Sequence, residues 1–595
     1  MKALVIRTLR LPATLLLISS LTLLVSIPAM HGQAATPTGI FDHGPRNPGN
    51  VNAVFCPTQA VGVVPKFPGT AAKPNLGPIP PSPATDCIDI IQPADNPAGT
   101  DGAGNIVGGY PPPTGGGNTG SLWLPGLDTF STFASVSGGI TGEPMVGLGP
   151  SFNAQSCFSC HMAPAVGGTS PGTVIIQISA VKQMSFAMPL STSPVPINTA
   201  AVLNPELQAE QDQGATNDTP DFPLPFSVAG ATTPPVPTLN LDGPTLEVRF
   251  VRALVQSGNT PGVGQFGVGN LFTIQGRSDE PTGCMISQIN FHGLPNGSVS
   301  FRIPTPTFGL GFVQSTPDPI LIQNSLALAP AGNASGVTGG VFNTSGNDGS
   351  ITRFGWKAQN KSLIIFAGEA ENVEMGVTNE LFPNERTWGA TPTGSTLTVP
   401  PCIDTNPTPE DEILGAGSVL LASSNAEEDS IFMLLNAVPA QCSSAGAGTY
   451  GSATAICAAF NTGETNGQTL FTTAGCNLCH APTLVTGPSP NSLLSGMTYH
   501  PYSDFALHHM GGLDDGITQG QAAGDQFRTA PLWGVGQRLF FMHDGRETDL
   551  INAIEDHCIP TTNLAPSEAC TSVNNFNNVL NTTQQQEVLN FLRSL

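Results

Sequence analysis

Two short segments of this chain carry the same pattern of two cysteines followed by a histidine. They are Cys157-Phe158-Ser159-Cys160-His161 and Cys476-Asn477-Leu478-Cys479-His480. C-x-x-C-H is typical of c-type haem attachment, because both thiols can form thioethers to one porphyrin and the histidine can then ligate the iron. A zinc site or two coincidental disulfides would leave both histidines unexplained. The sequence therefore predicts two covalently attached haem c groups, with His161 and His480 as iron ligands.

The N-terminal segment has the three-part pattern of a secretory signal peptide. Basic residues lie at positions 2, 7 and 10, an apolar run extends over 15–25, and small residues follow at 32–34. This order predicts cleavage near residue 34 and export to the periplasm or the medium, with no membrane span in the mature chain. An uncleaved anchor is the alternative, although the apolar run is short for a helix that spans a bilayer.

The remaining cysteines agree with export. The chain has 12 cysteines, of which the two C-x-x-C-H motifs use four. The others form an even set, which indicates disulfides in an oxidising compartment. Proximity in sequence favours the pairs Cys56–Cys87, Cys442–Cys457 and Cys558–Cys570, although spacing alone does not determine the pairing.

Charge and composition limit the class of partner. The formal net charge is −23, which disfavours nucleic acid and anionic membrane surfaces. It suits a small uncharged substrate or a basic electron-transfer protein. Only 10% of the 595 residues are charged, whereas Gly (68) and Pro (56) are abundant, so many turns and long loops are expected.

The chain is too long for one ordinary core, and we expect a mixed fold with two mainly α, cytochrome c-like haem domains. Alternating or β-branched runs at 173–178, 246–251 and 298–303 predict strands, and hence a β-containing insertion in the first domain. The predicted order is a signal peptide (1–34), a Pro/Gly-rich irregular arm (35–120), a first haem domain (121–400) with the insertion at about 170–350, a loop-rich linker (401–460) and a second haem domain (461–595).

A terminal helix is expected to close the second domain. Val588, Leu592 and Leu595 recur at helical spacing. Thr583 and Gln586 have the spacing of a capping box at its start.

Several longer motifs resemble the bacterial di-haem oxidoreductase family, whose members are related to di-haem cytochrome c peroxidases and to MauG-type enzymes of methylamine utilisation. The resemblance covers most of 121–595, with only short matches inside 170–350. The motifs are GLGPSFNAQSCFSCHMAPAVGG, RFGWKAQ, EMGVTNE, PYSDFALHHMG and FRTAPLWGVGQRLFFMHDGRETDLINAIEDH.

The resemblance implies different roles for the two haems. In the related peroxidases the N-terminal haem reacts with peroxide and the C-terminal haem relays electrons, which gives these roles to the haems at His161 and His480. A distal glutamate before Met-Gly corresponds to Glu374, and a tryptophan between the haems corresponds to Trp356. Glu374 would move a proton during peroxide cleavage, and Trp356 would carry an electron. The ordinary alternatives are that Glu374 is a solvated residue of a helix and that Trp356 is a residue of the apolar core.

The sixth ligand of the second haem is the main departure from the relatives. There, Met or Tyr follows a His-Asp-Gly motif at a distance of 14 residues, whereas here His557 follows His543 at that distance. Leu550, Ile554 and His557 share one helical face, so His557 should point inward. We expect a bis-histidine haem, His480/His557, with a lower potential than a Met/His haem. A core histidine is the alternative.

The first haem is expected to keep an open coordination position. No histidine lies between His161 and His292, whereas relatives that need reductive activation place a distal histidine soon after the first C-x-x-C-H. His292 is the alternative distant ligand, although its Phe-His-Gly-Leu-Pro setting indicates a turn. The relatives also bind calcium, partly through Thr-x-Pro just before His-Asp-Gly. Arg538 and Phe540 occupy these places, which argues against calcium, although backbone carbonyls could serve.

Other polar residues in the matched motifs are candidates for contacts around the haems. His508, His509 and His543 could lie beside the propionates or between the haems, or could be structural. Arg528 and Arg546 could pair with propionates.

The sequence therefore favours an exported di-haem oxidoreductase that reduces hydrogen peroxide with electrons from a donor protein or a quinol-linked cytochrome. A non-enzymatic electron-transfer cytochrome, with both irons six-coordinate, is one alternative. A di-haem dioxygenase is another, but those enzymes lack a counterpart of Glu374. A thiol oxidoreductase would need a free thiol pair beyond the haem cysteines.

Overall fold

The computed structural model describes residues 120–170, 272–284, 297–385, 424–438 and 464–595, each with short gaps at most, together with Ile40, Glu410 and a few short strands. The predicted signal peptide, nearly all of the predicted arm, His292 and the cysteine pairs 56–87 and 442–457 lie outside these residues. Within the described part, no helix has the length and apolar character needed to cross a membrane.

Most helices lie near the two C-x-x-C-H motifs or toward the C-terminus. In chain order they are α1 (Gly120–Ser131), α2 (Cys157–Cys160), α3 (Leu310–Gln314), α4 (Asp318–Ala334), α5 (Leu363–Ala370), α6 (Asn425–Leu435), α7 (Glu464–Ala474), α8 (Leu550–Asp556), α9 (Cys570–Asn578) and α10 (Thr582–Ser594). A π-helix (Glu371–Met375) continues α5, and 3-10 turns lie at Cys476–Leu478, Ser492–Leu494, Gly511–Leu513 and Val535–Gln537.

The strands are short and pair in small antiparallel sheets. They are β1 (Gly99–Thr100), β2 (Ile106–Val107), β3 (Ser151–Phe152), β4 (Val174–Gln177), β5 (Gln183–Ser185), β6 (Leu239–Leu241), β7 (Glu247–Phe250), β8 (Phe272–Thr273), β9 (Val299–Arg302), β10 (Leu484–Val485), β11 (Thr498–Tyr499), β12 (Leu507–His509) and β13 (Gln526–Arg528). Their sheets are β1–β2, β3–β8, β5–β4–β6, β7–β9, β10–β11 and β12–β13.

The three runs predicted as strands are confirmed, since they form β4, β7 and β9. The later part of the range predicted as a β-containing insertion is helical, because α3 and α4 lie there.

The larger apolar core surrounds the first C-x-x-C-H segment. Phe130 of α1, Phe158 of α2, Leu363 of α5 and Phe432 of α6 are buried in it. The same cluster contains three aromatic residues from the C-terminal half: Tyr499, Phe505 and Trp533. The two halves of the chain therefore share this core.

Helix α6 lies within 401–460, the segment predicted as a linker. A capping box fixes its start: Ser424 Oγ accepts a hydrogen bond from the Glu427 N–H (3.1 Å), and the Glu427 carboxylate accepts one from the Ser424 N–H (3.4 Å). Phe432 and Met433 are buried in the core formed with α1 and α5. The helix thus contributes to the packing around the first motif.

A second core lies around the C-terminal motif. It contains Phe471 of α7, Ile551 of α8 and Phe591 of α10, together with Ile40 from the segment predicted as an arm. Helices α7 and α10 approach closely at Gly467, where a Cβ atom would lie 2.1 Å from the Glu587 carbonyl oxygen. Only glycine fits at this crossing.

The terminal helix was predicted correctly but its cap was not. Asn581, rather than Thr583, is the N-cap: its side chain accepts from the Gln584 N–H (3.1 Å), and the Gln584 side chain accepts from the Asn581 N–H (2.9 Å). Asn caps a helix as well as Thr does, so the start lies two positions earlier. The predicted apolar face is buried: Val588, Leu592 and Leu595.

A disulfide joins Cys558 to Cys570. This pair was predicted from the sequence and is confirmed. Because Cys558 follows His557 and Cys570 begins α9, the bond ties the end of α8 to the next helix. Cys284 is also disulfide-bonded.

Candidate functional site

The first motif lies on the short helix α2. Ser156 caps it by accepting a hydrogen bond from the Ser159 N–H (3.2 Å). His161 follows the helix, and its Nδ1 donates to the Gly168 carbonyl (2.9 Å). This bond leaves Nε2 as the nitrogen with a free lone pair, which is the arrangement of a metal-ligating histidine. Burial lowers the pKa of His161, which favours the neutral form.

The second motif orients its histidine in the same way. His480 Nδ1 donates to the Tyr502 carbonyl (2.8 Å), so Nε2 is again the free nitrogen. Burial, together with a smaller effect of the neighbouring His557, lowers the pKa of His480 to about 4. None of the four cysteines of the two motifs forms a disulfide. Each motif therefore presents two thiols and one neutral imidazole.

His557 faces His480 across a cavity. Their ring centroids are 6.4 Å apart. His557 Nδ1 donates to the Ala553 carbonyl (2.6 Å), which also leaves its Nε2 free. Two imidazoles on one metal ion, each with its nitrogen about 2 Å from the ion, have ring centres roughly 6 Å apart. The spacing of the two rings thus leaves room for one metal ion between them.

The cavity between these histidines has an apolar wall with the motif thiols on one side. Its lining residues include Cys476, Cys479, Phe541 and Leu592. Leu550 and Ile554 also line it, as the helical face predicted from the sequence requires. A flat apolar macrocycle with two attachment points fits these donors and walls.

Two buried arginines give this cavity a positive side. Arg528 and Arg538 both line it, and burial lowers the pKa of each guanidinium to about 10. Their hydrogen bonds go to backbone carbonyls: Arg528 Nε donates to Gly355 (2.9 Å) and Arg538 Nη2 to Pro531 (3.3 Å). Two cations in an apolar cavity favour an anionic group there, such as a carboxylate of the ligand.

Of the two arginines predicted to pair with propionates, only Arg528 lines the cavity. Arg546 instead binds the carboxylate of Asp544, with Nη2 at 2.5 Å and Nε at 2.8 Å from Oδ2. The Arg546 guanidinium therefore pairs with the Asp544 carboxylate and does not line the cavity. The second arginine that lines the cavity is Arg538. In the sequence, Arg538 stands out only because it occupies a position at which the relatives bind calcium.

A second, polar cavity is lined by His161 and five charged side chains. They are Glu247, Arg249, Arg302, Glu369 and Glu374. Glu374 thus shares a cavity with the first motif histidine, as the resemblance implied. It lies on the π-helix, whose end packs against β3.

Close backbone contacts fix the position of Glu374. Its carbonyl accepts hydrogen bonds from the N–H groups of Asn153 (2.7 Å) and Ala154 (3.0 Å). Gly376 follows with φ +75°, and a Cβ there would lie 2.6 Å from Gly149 Cα. The segments 374–376 (EMG) and 147–153 (GLGPSFN) are therefore in direct backbone contact.

The Glu374 side chain contacts three polar groups. Asn153 Nδ2 donates to Oε2 (2.6 Å), and Arg249 Nη2 lies 3.2 Å from Oε1. The Glu247 carboxylate lies within hydrogen-bonding reach. Burial raises the pKa of Glu374 well above its usual value, and the negative charge of Glu247 raises it further. Both effects favour the protonated form of Glu374.

Trp356 lies in the walls of both cavities. Its Nε1 donates to the Ile303 carbonyl (2.7 Å), and its ring meets the His543 ring edge-on at 6.4 Å. The backbone carbonyl of Trp356 accepts from the Arg528 N–H (2.8 Å). An aromatic ring thus separates the two candidate cofactor sites.

The three accessory histidines lie at different places. His543 lines the larger cavity and stacks on Phe527 (4.4 Å), and burial lowers its pKa to about 4. His508 lines the same cavity between two carboxylates, Asp504 and Glu568. His509 does not line it; its ring binds Asp525 (2.7 Å).

The structure offers little for a metal ion held by side chains alone. Among the described residues, no group of three His, Cys, Asp or Glu side chains is arranged to bind one. Phe540 is buried, and Arg538 lines the larger cavity.

Two functional candidates were missed in the sequence. Glu247 and Arg249 lie two positions apart on β7, so both side chains leave the same face of the strand. The alternation of these two residues with Val248 and Phe250 indicates a β-strand. The pattern contained a charged pair on one face, but no local signal indicated that the face meets Glu374.

Comparison with known proteins identifies the family of the chain. The family model described as "Di-haem oxidoreductase, putative peroxidase" matches residues 269–595. This is more than half of the chain and includes the second C-x-x-C-H segment, whereas the first lies before the matched region. No curated protein and no solved structure matched. The family description implies two haem groups and an oxidoreductase activity. The chain therefore belongs to the di-haem oxidoreductase family.

Proposed function

We propose that this protein is an exported di-haem c-type enzyme that reduces hydrogen peroxide. Peroxide would react at the His161 haem, and a donor protein or quinol-linked cytochrome would supply electrons through the His480 haem. The reaction consumes one peroxide, two electrons and two protons and yields two water molecules. Export and covalent attachment through Cys157, Cys160, Cys476 and Cys479 are parts of this proposal.

The observation that carries the proposal is the difference between the two histidine sites. His480 faces a second imidazole, His557, across its cavity. His161 shares its cavity with the acid Glu374, and no second histidine lines that cavity within the described residues. A bis-histidine iron is closed to ligands and suits electron relay, whereas an iron with one imidazole can bind a small oxidant.

The groups around the first site suit proton transfer to peroxide. A haem bound at His161 would supply an iron position for peroxide and the electrons that it holds. Glu374 would give a proton to the leaving oxygen, since burial and Glu247 raise its pKa and it lies in the same cavity. Arg249 would stabilise the carboxylate that remains.

Groups around the second site suit anchoring and relay. Arg528 and Arg538 would bind the carboxylates of the haem, because they place two cations in an apolar wall. Trp356 borders both cavities and would shorten the path of an electron between them.

Spectra of the ferric holoprotein test the proposal. We expect one high-spin and one low-spin haem in equal amounts, and a change of the high-spin signal when peroxide or cyanide is added. Peroxide should be consumed when a reduced donor is present. The variant Glu374→Gln should keep both spectra and lose at least tenfold in the rate of peroxide reaction, consistent with the usual contribution of acid–base catalysis.

Glu143→Gln is the matched control. Glu143 is also a buried glutamate that binds an arginine, Arg277 (2.6 Å), but it lines neither cavity. Its substitution should leave peroxide turnover unchanged. Two low-spin haems that ignore peroxide and cyanide would instead identify an electron carrier without enzymatic activity.

A further inference from the structure

The strand pair β7–β9 brings charged residues into the cavity of His161. In its antiparallel register Glu247 lies opposite Arg302, and Arg249 lies opposite Ser300. Glu247, Arg249 and Arg302 all line the cavity. Their placement depends on a segment that belongs neither to the C-x-x-C-H helix nor to the π-helix of Glu374.

Arg249 bridges two carboxyl groups. Its Nε lies 2.9 Å from Glu247 Oε1 and its Nη2 lies 2.8 Å from Oε2, a two-pronged contact. The same Nη2 lies 3.2 Å from Glu374 Oε1. The side chain of Arg249 is only 9% exposed, so water screens these interactions weakly.

The other charged groups that face Glu374 leave Glu247 as the main neighbouring negative charge. Arg302 is engaged by Asp515, with Nε at 2.9 Å and Nη2 at 2.5 Å from the same oxygen. Glu369 is hydrogen-bonded to Asn360. His161 is held through Nδ1 by the Gly168 carbonyl.

We propose that Glu247 is a positioning residue that keeps Glu374 in its protonated form, with Arg249 holding both carboxyl groups in place. The carboxyl groups of Glu247 and Glu374 lie within hydrogen-bonding reach of each other as well as of Arg249, and two carboxylates this close cannot both be ionised without strong repulsion, so one of them retains a proton. Glu247 has the two-pronged contact and is the ionised member. Glu374 has the single contact and is the acid.

This arrangement gives the proposed reaction its proton at neutral pH, and the inference therefore rests on the proposed function. When Glu374 gives its proton to the leaving oxygen of peroxide, its O–H bond breaks and a new O–H bond forms in water. The carboxylate left behind faces Arg249 and repels Glu247. This repulsion favours recovery of a proton from solvent, which restores the acid.

Infrared titration of the ferric holoprotein tests the pair without peroxide. The difference spectrum between the wild type and Glu374→Gln should show the C=O band of one protonated carboxyl at neutral pH, and its midpoint is the one to follow, because Glu547 also has a raised pKa of about 7. In Glu247→Gln its midpoint should move to lower pH by about one unit or more, because the repelling charge is removed. In Arg249→Gln the midpoint should move to higher pH, because the stabilising cation is removed.

The proposal predicts that the midpoint moves in opposite directions in these two variants, and general damage to the fold would not produce this pattern. If the Glu247→Gln variant does not bind haem, the shift of the infrared midpoint in Arg249→Gln still tests the proposal. Glu143→Gln is again the matched control, because the Glu143–Arg277–Asp279 cluster repeats the same carboxylate–arginine–carboxylate arrangement away from the cavity. That variant should leave the midpoint unmoved.

The pH–rate profile of peroxide reduction gives the second readout. In Glu247→Gln the alkaline limb should move to lower pH by the same amount as the infrared midpoint. A midpoint in Glu247→Gln that is unmoved or raised would overturn the inference. If the midpoints shift as expected but the wild-type protein does not reduce peroxide, the carboxyl pair stands and the proposed function fails.

Discussion

The imidazole rings of His480 and His557 have their centroids 6.4 Å apart and their planes inclined at 62°, and each ring donates its Nδ1 proton to a backbone carbonyl. We therefore predict that His557→Met raises the reduction potential of the second haem and that His557→Ala makes this haem high-spin. Both follow from loss of the second imidazole. Optical and electron paramagnetic resonance spectra, with a redox titration, measure these changes.

The exposed histidine His500 provides the control for this prediction. His500→Ala should leave both the spin state and the potential as they are. A second haem that stays low-spin with an unaltered spectrum in His557→Ala would show that another group supplies the sixth ligand.

Trp356→Phe is predicted to slow electron transfer between the haems and to destabilise the fold. The Nε1 hydrogen bond to the Ile303 carbonyl is lost, and a buried carbonyl without its partner costs about 1–3 kcal/mol. Stopped-flow reduction of the first haem through the second should be about tenfold slower, equivalent to about 1.4 kcal/mol in the barrier. The static spectra should be preserved.

Trp533→Phe is the matched variant, because Trp533 is equally buried but lines neither cavity. It should lower stability without slowing electron transfer. Equal rates in Trp356→Phe and the wild type would exclude Trp356 from the path.

The buried ion pairs of His508 predict a pH-dependent stability. Burial has the largest single effect on His508 and lowers its pKa, but Asp504 and Cys479 together outweigh it, so the pKa is raised well above 6.5. The imidazolium therefore stabilises the fold fully below pH 6.5, and this stabilisation is lost as the pH rises through the raised folded-state pKa. The proposed thioether at Cys479 would remove the contribution of that sulfur, and Asp504 would remain as the cause of the rise.

His508→Gln should accordingly destabilise the holoprotein by about 3 kcal/mol at pH 6, where it leaves two carboxylates buried without their cation. The difference in Tm between wild type and variant should shrink as the pH is raised. His500→Gln should show no such trend. A difference that grows with pH would contradict the assignment of an imidazolium.

Gly467→Ala should destabilise the C-terminal core even though alanine favours helices. In an open helix this change gains about 1 kcal/mol. Here the new Cβ would lie 2.1 Å from the Glu587 carbonyl oxygen, so α7 and α10 must separate at a cost of about 1–3 kcal/mol. Thermal unfolding should show a lower Tm, whereas Thr473→Ala, at an exposed position of α7, should not.

Local sequence patterns were sufficient for features that depend on one helix or one strand. The spacing of Leu550, Ile554 and His557 predicted a shared face, and all three residues line one cavity. The same reasoning gave the wrong N-cap for the terminal helix, because two neighbouring residues are able to cap it. Thr583 and Asn581 are both able to cap a helix, and only packing of the following turn decides between them.

Features that depend on contacts between distant segments could not be predicted in the same way. Arg249 and Glu374 are 125 positions apart in the sequence and meet only because β7 pairs with β9. The pair Arg546–Asp544 is different, because it is a local contact: Asp544 lies two positions from Arg546 and its carboxylate binds the guanidinium that was expected to face a ligand.

The apolar cluster around Phe432 is completed by Tyr499, Phe505 and Trp533. A chimera that exchanged only residues 464–595 for those of a relative would bring a foreign aromatic surface against α1, α5 and α6. Substitutions on either side of this boundary are therefore expected to be inherited together, and neither half can diversify as an independent module.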